Sequence, residues 1–119
     1  MIRIRVYGVS FAEGHTRFDG GQFRLTAEGH ALSAPKGKDI VCAGVSVLVQ
    51  SLARALVSHG VRIEIAKKDD GIEIGFDAGI GGKAGDDFTA GSVSMTLHGL
   101  MMMAESHPDH VDIEFDQTR

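Results

Sequence analysis

The sequence is poor in cysteine and in aromatic residues: its 119 residues include one cysteine, one tyrosine, six phenylalanines and no tryptophan. A single cysteine can form no disulfide within the chain, and it cannot supply a zinc site made of several thiolates. This cysteine usage is typical of a reducing compartment, so we expect a cytoplasmic protein. Aliphatic residues and methionine are nevertheless plentiful, which predicts a folded chain.

Clustered positive charge and an export signal are also missing. The 12 basic and 16 acidic residues are interspersed and give a net charge of −4, so we expect no direct binding to a nucleic-acid backbone. The N-terminal segment MIRIRVYG alternates apolar residues with arginine instead of leading into an apolar run. No segment looks long enough to span a bilayer, and we expect neither export nor membrane anchorage.

The apolar residues recur with a period of two in several segments, which is typical of strands with one buried and one solvated face. The alternate positions are charged, and this favours a mostly antiparallel sheet over a parallel sheet covered on both sides. Five strands are predicted, in IRIRV, QFRLTAE, VRIEIAK, GIEIGF and VDIEF. The turn KKDDG predicts a hairpin between the third and fourth, whereas GVSFAEGHTRFDGG between the first two has no predicted structure.

Two longer segments have the three- and four-residue spacing of apolar side chains that is typical of helices. The first covers about residues 39–58 and is followed by Gly60, which fits a left-handed cap. The second starts at about residue 86 or 87 and ends at about residue 106, before Pro108. The order β-β-α-β-β-α-β predicts an α/β two-layer sandwich, with a five-stranded sheet and two helices on one face. We expect one domain spanning residues 1–119.

Three methionines of the second helix, Met95, Met102 and Met103, lie off its main apolar stripe. They fit either a thick core or a dimer interface.

A histidine and the only cysteine flank a short variable segment. His30 ends the second predicted strand, and Cys42 falls in the first turn of the first helix. Residues 31–38 contain Pro35 and Gly37 and could swing as a flap. If the helix folds straight back over the strand, both side chains lie at the same edge of the sheet and can meet.

Cysteine beside histidine is the arrangement that nucleophilic catalysis requires. A cysteine with an ordinary pKa of about 8.5 is only a few per cent thiolate near neutral pH. A helix N-terminus stabilises an anion by at most about 2 kcal/mol, so a neighbouring imidazolium must supply the rest. We therefore expect His30 to act on Cys42, and the amides of the first helical turn to hold the oxyanion of a tetrahedral intermediate.

The residues alone leave alternatives. A lone cysteine is often an inert apolar filler, and a histidine at a strand end is often only solvated. Asp39 either caps the helix, by accepting from the amides of Val41 or Cys42, or orients His30 as the third member of a triad. Capping is favoured because it asks only for local geometry.

The segments GHA and GKDIVCAGVSVLVQSL, which contain these residues, resemble the signature of the ribosomal-processing cysteine protease family Prp. In that family the pattern is Gly-His-Ala, a short variable loop, Gly-x-Asp-Ile-Val-Cys, and then small residues and Val-Ser. The agreement extends over about thirteen positions in fixed register. Gly44 stands where the family usually has alanine.

The resemblance implies a cysteine endopeptidase that removes the N-terminal extension of the precursor of bacterial large-subunit ribosomal protein twenty-seven. Cys42 would be the nucleophile, His30 the general base and Asp39 a supporting residue, and Ser46 would line the site or bond within the helix. It also implies a homodimer and a mobile substrate loop. That loop comprises Ala31, Leu32, Ser33, Ala34, Pro35, Lys36, Gly37 and Lys38. The chemistry requires no metal or organic cofactor.

Two functions of other classes stay open. One is a non-catalytic, ribosome-associated module that holds a peptide in the same cleft, and the other is a redox-responsive thiol. Three further histidines, His15, His59 and His98, have no partner that the sequence identifies.

Overall fold

The structure, a computed structural model, describes residues 1–29 and 39–116. Within them the chain forms seven strands and two long helices. In chain order these are β1 (Ile2–Tyr7), β2 (Val9–Ala12), β3 (His15–Phe18), β4 (Gln22–Glu28), α1 (Ile40–His59), β5 (Glu64–Lys68), β6 (Gly71–Asp77), α2 (Asp87–Ser106) and β7 (Val111–Asp116). Two short 3₁₀ turns, Ala78–Ile80 and Gly82–Gly85, connect β6 to α2.

Five of these strands form one sheet in the order β5-β6-β4-β1-β7. β1 and β7 are parallel, with Ile4 opposite Ile113, and the other neighbouring strands are antiparallel. The parallel pair arises because α2 is a crossover connection, which brings the chain from β6 to the far edge of the sheet. The predicted α/β fold, a mostly antiparallel five-stranded sheet with two helices, is confirmed.

The alternation of apolar and charged residues in the sequence corresponds to an alternation of buried and more exposed side chains in the strands. In β1, Ile2, Ile4 and Val6 are buried, and the arginines between them are not. The buried faces of the sheet pack with both helices in one hydrophobic cluster. Its helical members include Val45, Val49, Leu52, Leu56, Val93, Leu97 and Leu100.

The third predicted strand differs from the observed one. The pattern VRIEIAK predicts a strand with Val61, Ile63 and Ile65 buried, but β5 begins at Glu64 and is exposed along its whole length. Val61 is buried before the strand starts, and Ile65 is about half exposed. The reason is position: β5 is an edge strand paired with β6 alone, and the edge of a sheet has fewer neighbours to cover it.

The segment without predicted structure forms a two-stranded hairpin of β2 and β3. Its two turn residues, Glu13 and Gly14, both have positive φ, which is typical of the tight turns that match strand twist. The hairpin packs on α2, where the amide of Thr16 donates to Ser94 Oγ at 3.0 Å. Strands of four residues give too short an alternation for the sequence pattern to identify them.

Both helices are confirmed to within one or two residues. α1 ends at Gly60, whose φ of 97° is the predicted left-handed cap. α2 begins after Asp86, whose side chain accepts from the amide of Thr89 at 3.0 Å. Short polar side chains at N-caps satisfy amides that have no partner within the helix.

By length and composition, α1 is apolar enough to cross a membrane. The expectation that no segment reaches this length is therefore wrong. The fold gives the helix another reason to be apolar, because its side chains Val41, Leu52 and Leu56 are buried in the core shared with the sheet.

Candidate active site

An open cavity of about 280 Å³ lies at the end of the sheet where β1 and β6 begin and β4 ends. Ile2, Ala27 and Ile72 give it an apolar base, and the first turns of α1 form one wall. The turn between β5 and β6 forms another wall, through residues 67–71. The cavity is thus built where strand ends and a helix N-terminus meet.

Cys42 lines this cavity from the third position of α1. The residue is half-buried, contacts the hydrophobic core on one side, and is in no disulfide. It is therefore not an enclosed core residue, which is what an inert filler would be. Its place in the first helical turn exposes it to the positive end of the helix dipole.

Asp39 is the N-cap of α1. Its Oδ1 accepts hydrogen bonds from the amides of Val41 at 3.0 Å and Cys42 at 3.1 Å. The capping interpretation of Asp39 is thus confirmed, and replacing such a cap by alanine typically costs about 1 kcal/mol.

The same bonds correct the expectation about the oxyanion. The amides of Val41 and Cys42 are already bonded to a carboxylate, and that of Ala43 donates to the Asp39 carbonyl at 3.1 Å. A negatively charged intermediate would compete with Asp39 for the first two.

Ser46 fits both interpretations that the sequence left for it. It lines the cavity one turn beyond Cys42, and its Oγ accepts a hydrogen bond of 2.6 Å from Gln50 Nε2 within the helix. Because the amide nitrogen of Gln50 is engaged in this way, its Oε1 is left as an acceptor at the cavity wall.

The β5–β6 turn is a part of the site that sequence reasoning missed. It approaches the cavity because the amide of Gly29, at the end of β4, donates to the Asp70 carbonyl at 2.8 Å. Gly29 has φ of 98°, and a Cβ there would collide with the carbonyl oxygen of Met1. Only glycine fits this crossing of three chain segments, which gives a physical reason for the glycine before His30.

The other predicted site residues, His30 and the substrate loop Ala31–Lys38, lie outside the described residues. Across residues 1–29 and 39–116, no cluster of three or more His, Cys, Asp or Glu side chains could hold a metal ion.

A histidine–aspartate pair exists elsewhere, at the opposite end of α1. His59 Nε2 lies 2.7 Å from Asp86 Oδ2, and the His59 ring packs on Phe88 with centroids 4.2 Å apart. The bond from His59, with that from the Thr89 amide, holds the pKa of Asp86 below its ordinary value. Neither residue lines the cavity of Cys42, so this pair joins the two helices and does not serve the thiol.

Comparison with solved structures shows the same fold in known proteins. The ribosomal processing protease Prp from S. aureus, in complex with a covalently linked product peptide, superposes with a TM-score of 0.75 at 21% identity, covering 98% of this chain and 100% of that chain. The same S. aureus protease with a substrate peptide gives a TM-score of 0.70 at 20% identity, with 98% and 100% covered. SMU.848 from Streptococcus mutans gives 0.69 at 25% identity, covering 99% and 96%.

A search of curated proteins finds no significant match. The family model for cysteine protease Prp, by contrast, matches residues 13–112. This range includes Cys42 and the cap at Asp39, together with most of the sheet and both helices. The chain therefore belongs to the Prp family of cysteine proteases.

Proposed function

We propose that this protease removes the N-terminal extension from the precursor of large-subunit ribosomal protein twenty-seven, with Cys42 as nucleophile and His30 as general base. The observation that carries the proposal is the position of Cys42: half-buried, in the first turn of α1, on the wall of an open cavity. The S. aureus protein with this fold is described as a ribosomal processing protease and was solved with substrate and product peptides. We also propose that the enzyme acts in the cytoplasm.

The proposed reaction has two stages. His30 takes the thiol proton, and the Cys42 sulfur attacks the scissile carbonyl to give a tetrahedral intermediate. Its collapse breaks the peptide bond, and the amine of the mature protein leaves with a proton from the imidazolium. Water then attacks the thioester, releasing the extension as a carboxylic acid and restoring the thiol.

The test uses purified protein and the precursor encoded in the same genome. Intact-mass measurement should show loss of the extension, and an acid-quenched early sample should show the enzyme heavier by the acyl extension at Cys42. Binding with no change in precursor mass would contradict the proposal and favour a peptide-holding module. Inactivation by oxidation, with full function in Cys42→Ser, would favour the redox-responsive thiol.

We propose further that the enzyme is a homodimer that associates through α2. Three large apolar side chains on this helix, Phe88, Met95 and Met102, are exposed and lie seven residues apart, so they share one face. The third methionine of the sequence prediction, Met103, instead packs against the core. Sedimentation should give a dimer for the native chain and a monomer for Met95→Glu, and an unchanged dimer in that variant would contradict this interface.

A further inference from the structure

A second concave surface continues from the Cys42 cavity along the outer side of α1. This surface, which we call the distal groove, encloses about 600 Å³ and shares Gln50, Lys67 and Ile72 with the cavity. Beyond those shared residues it is lined by Val47, Arg54, Val57 and Ile65, among others. The two concavities therefore adjoin, with Gln50, Lys67 and Ile72 between them.

The groove is apolar and uncovered. Val47, Val57 and Ile65 expose 64%, 54% and 48% of their surface. α1 supplies one side of the groove from positions three and four residues apart, and the edge strand β5 supplies the other through Ile65 and Lys67. Exposed aliphatic side chains gathered in one groove typically mark a binding surface.

The groove also carries charge of one sign. Arg54 and Lys67 line it, and no aspartate or glutamate does so among the residues that the structure describes. In the same part of the chain neither cation forms an ion pair. An occupant that brings a carboxylate would complement both charges.

Helix geometry gives the distance from the thiol. Arg54 lies more than three turns beyond Cys42, about 18 Å along the axis of α1. An extended peptide advances roughly 3.3 Å per residue, so this distance corresponds to about five residues of substrate.

From the adjacency of the two concavities, the exposed apolar lining and the charge, we infer that the distal groove binds the substrate polypeptide about five residues from the scissile bond. There it selects apolar side chains accompanied by an acidic one. The inference rests on the proposed proteolysis and adds a specificity determinant to it. Arg54, Val57 and Ile65 would contribute to recognition but not to the reaction, because none of them lines the cavity of Cys42.

The experiment compares kcat/KM for fluorogenic peptides built on the precursor junction. One peptide is short, with three residues on each side of the bond. The long peptides have seven residues on one side of the scissile bond and carry Glu or Lys at the fifth residue from that bond. Peptides extended on either side are compared. For one of the two sides, we expect kcat/KM of the native enzyme to be about fivefold higher with Glu than with Lys, which corresponds to the free energy of an exposed ion pair.

Arg54→Glu should abolish this preference, because the introduced carboxylate offsets the charge of Lys67, and it should leave kcat/KM for the short peptide unchanged. Arg17→Glu makes the same change of charge at an exposed residue of β3 that lines neither surface, so it should keep the native preference. Val57→Ser should lower cleavage of the long Glu peptide and leave the short one unaffected.

If the short peptide is cleaved but length and distal charge make no difference, the groove inference is overturned and the proposed function stands. If no junction peptide or precursor is cleaved, the proposed function fails. The groove inference is then tested separately, by measuring the binding of the long peptides to the Cys42→Ser variant. There, fluorescence anisotropy should show tighter binding of the long Glu peptide than of the Lys peptide, and equal affinities would overturn the inference.

Discussion

The N-termini of the two helices are alike in sequence and opposite in use. α1 and α2 each have 20 residues, and each is capped by an aspartate, Asp39 or Asp86, whose carboxylate accepts from the amide three residues later. That third residue is Cys42 in α1 and Thr89 in α2. Cys42 is half-buried on the wall of a cavity, whereas Thr89 is fully buried and its Oγ1 donates to the Lys83 carbonyl at 2.5 Å.

The difference lies in what covers each cap. At α2, the His59 side chain is bonded to the Asp86 carboxylate and its ring packs on Phe88, while Thr89 is buried. At α1, the strand ends and the β5–β6 turn leave an open cavity beside the cap. An aspartate N-cap therefore stabilises the fold at the start of α2, whereas at the start of α1 it lies beside a reactive side chain.

The largest expected difference in activity comes from substitutions at the third residue of each helix, Cys42 in α1 and Thr89 in α2. Cys42→Ser should lower kcat/KM for the precursor at least about a thousandfold, since a serine hydroxyl is far less ionised than a thiol at the same site. Thr89→Ser keeps its hydroxyl and should leave kcat/KM within about twofold. Equal losses in the two variants, measured with unchanged circular dichroism, would contradict the distinction.

The carboxylates of the two caps, Asp39 and Asp86, should also differ in their effect on the reactivity of Cys42. Asp39→Asn preserves the cap but removes a carboxylate beside the thiol. Charges a few ångströms apart in water interact by about 1 kcal/mol, so iodoacetamide should alkylate Cys42 about fivefold faster at pH 7. Slower alkylation would show instead that Asp39 supports His30, and Asp86→Asn should leave the rate unchanged.

Acid should weaken the cap at the α2 end. The pKa of Asp86 lies below its ordinary value of 3.8 because of the His59 and Thr89 hydrogen bonds. A lowered pKa gives stability that is complete above the ordinary value and is lost as the pH falls through the lowered one. Asp86→Asn should therefore unfold at a lower temperature than the native chain at pH 7, and the gap should narrow towards pH 2.

The exposed Asp19 gives the matched control. Asp19→Asn makes the same change in a side chain for which the structure describes no hydrogen bond or ion pair, and it keeps the backbone bond from the Asp19 amide to the Gly8 carbonyl. Its melting curve should therefore follow the native one across this pH range. A constant gap between Asp86→Asn and the native chain at every pH would contradict the role assigned to the carboxylate.

Local sequence predicts one level of this molecule well. The cap at Asp39, the left-handed Gly60 and the alternation in β1 depend on residues within a few positions, and the structure confirms each. The thiol in the first helical turn follows from the same local pattern.

What local sequence cannot predict are the contacts between distant segments. His59 contacts Asp86, which lies 27 positions further along the chain, and Gly29 contacts Asp70, which lies 41 positions further (70 − 29). The engagement of the Val41 and Cys42 amides, which overturned the expected oxyanion site, follows from the cap itself and was open to inference. The exposure of β5 was not, because edge position is a property of the whole sheet.

The smallest contrast concerns the fifth residue of each helix, which is glycine in both: Gly44 and Gly91. A Cβ at Gly91 would meet no atom within 4 Å, so Gly91→Ala should stabilise the fold by about 1 kcal/mol, the helix propensity difference. A Cβ at Gly44 would lie 2.9 Å from Met103 Cε, and the methionine must move. Gly44→Ala should therefore raise the free energy of unfolding by less. Adding Met103→Leu should change the effect of Gly44→Ala and leave the effect of Gly91→Ala the same.

Urea unfolding checks this with five variants: Gly91→Ala, Gly44→Ala, Met103→Leu, and each glycine variant combined with Met103→Leu. Equal increases in the free energy of unfolding at both glycines would show that Met103 moves at no energetic cost.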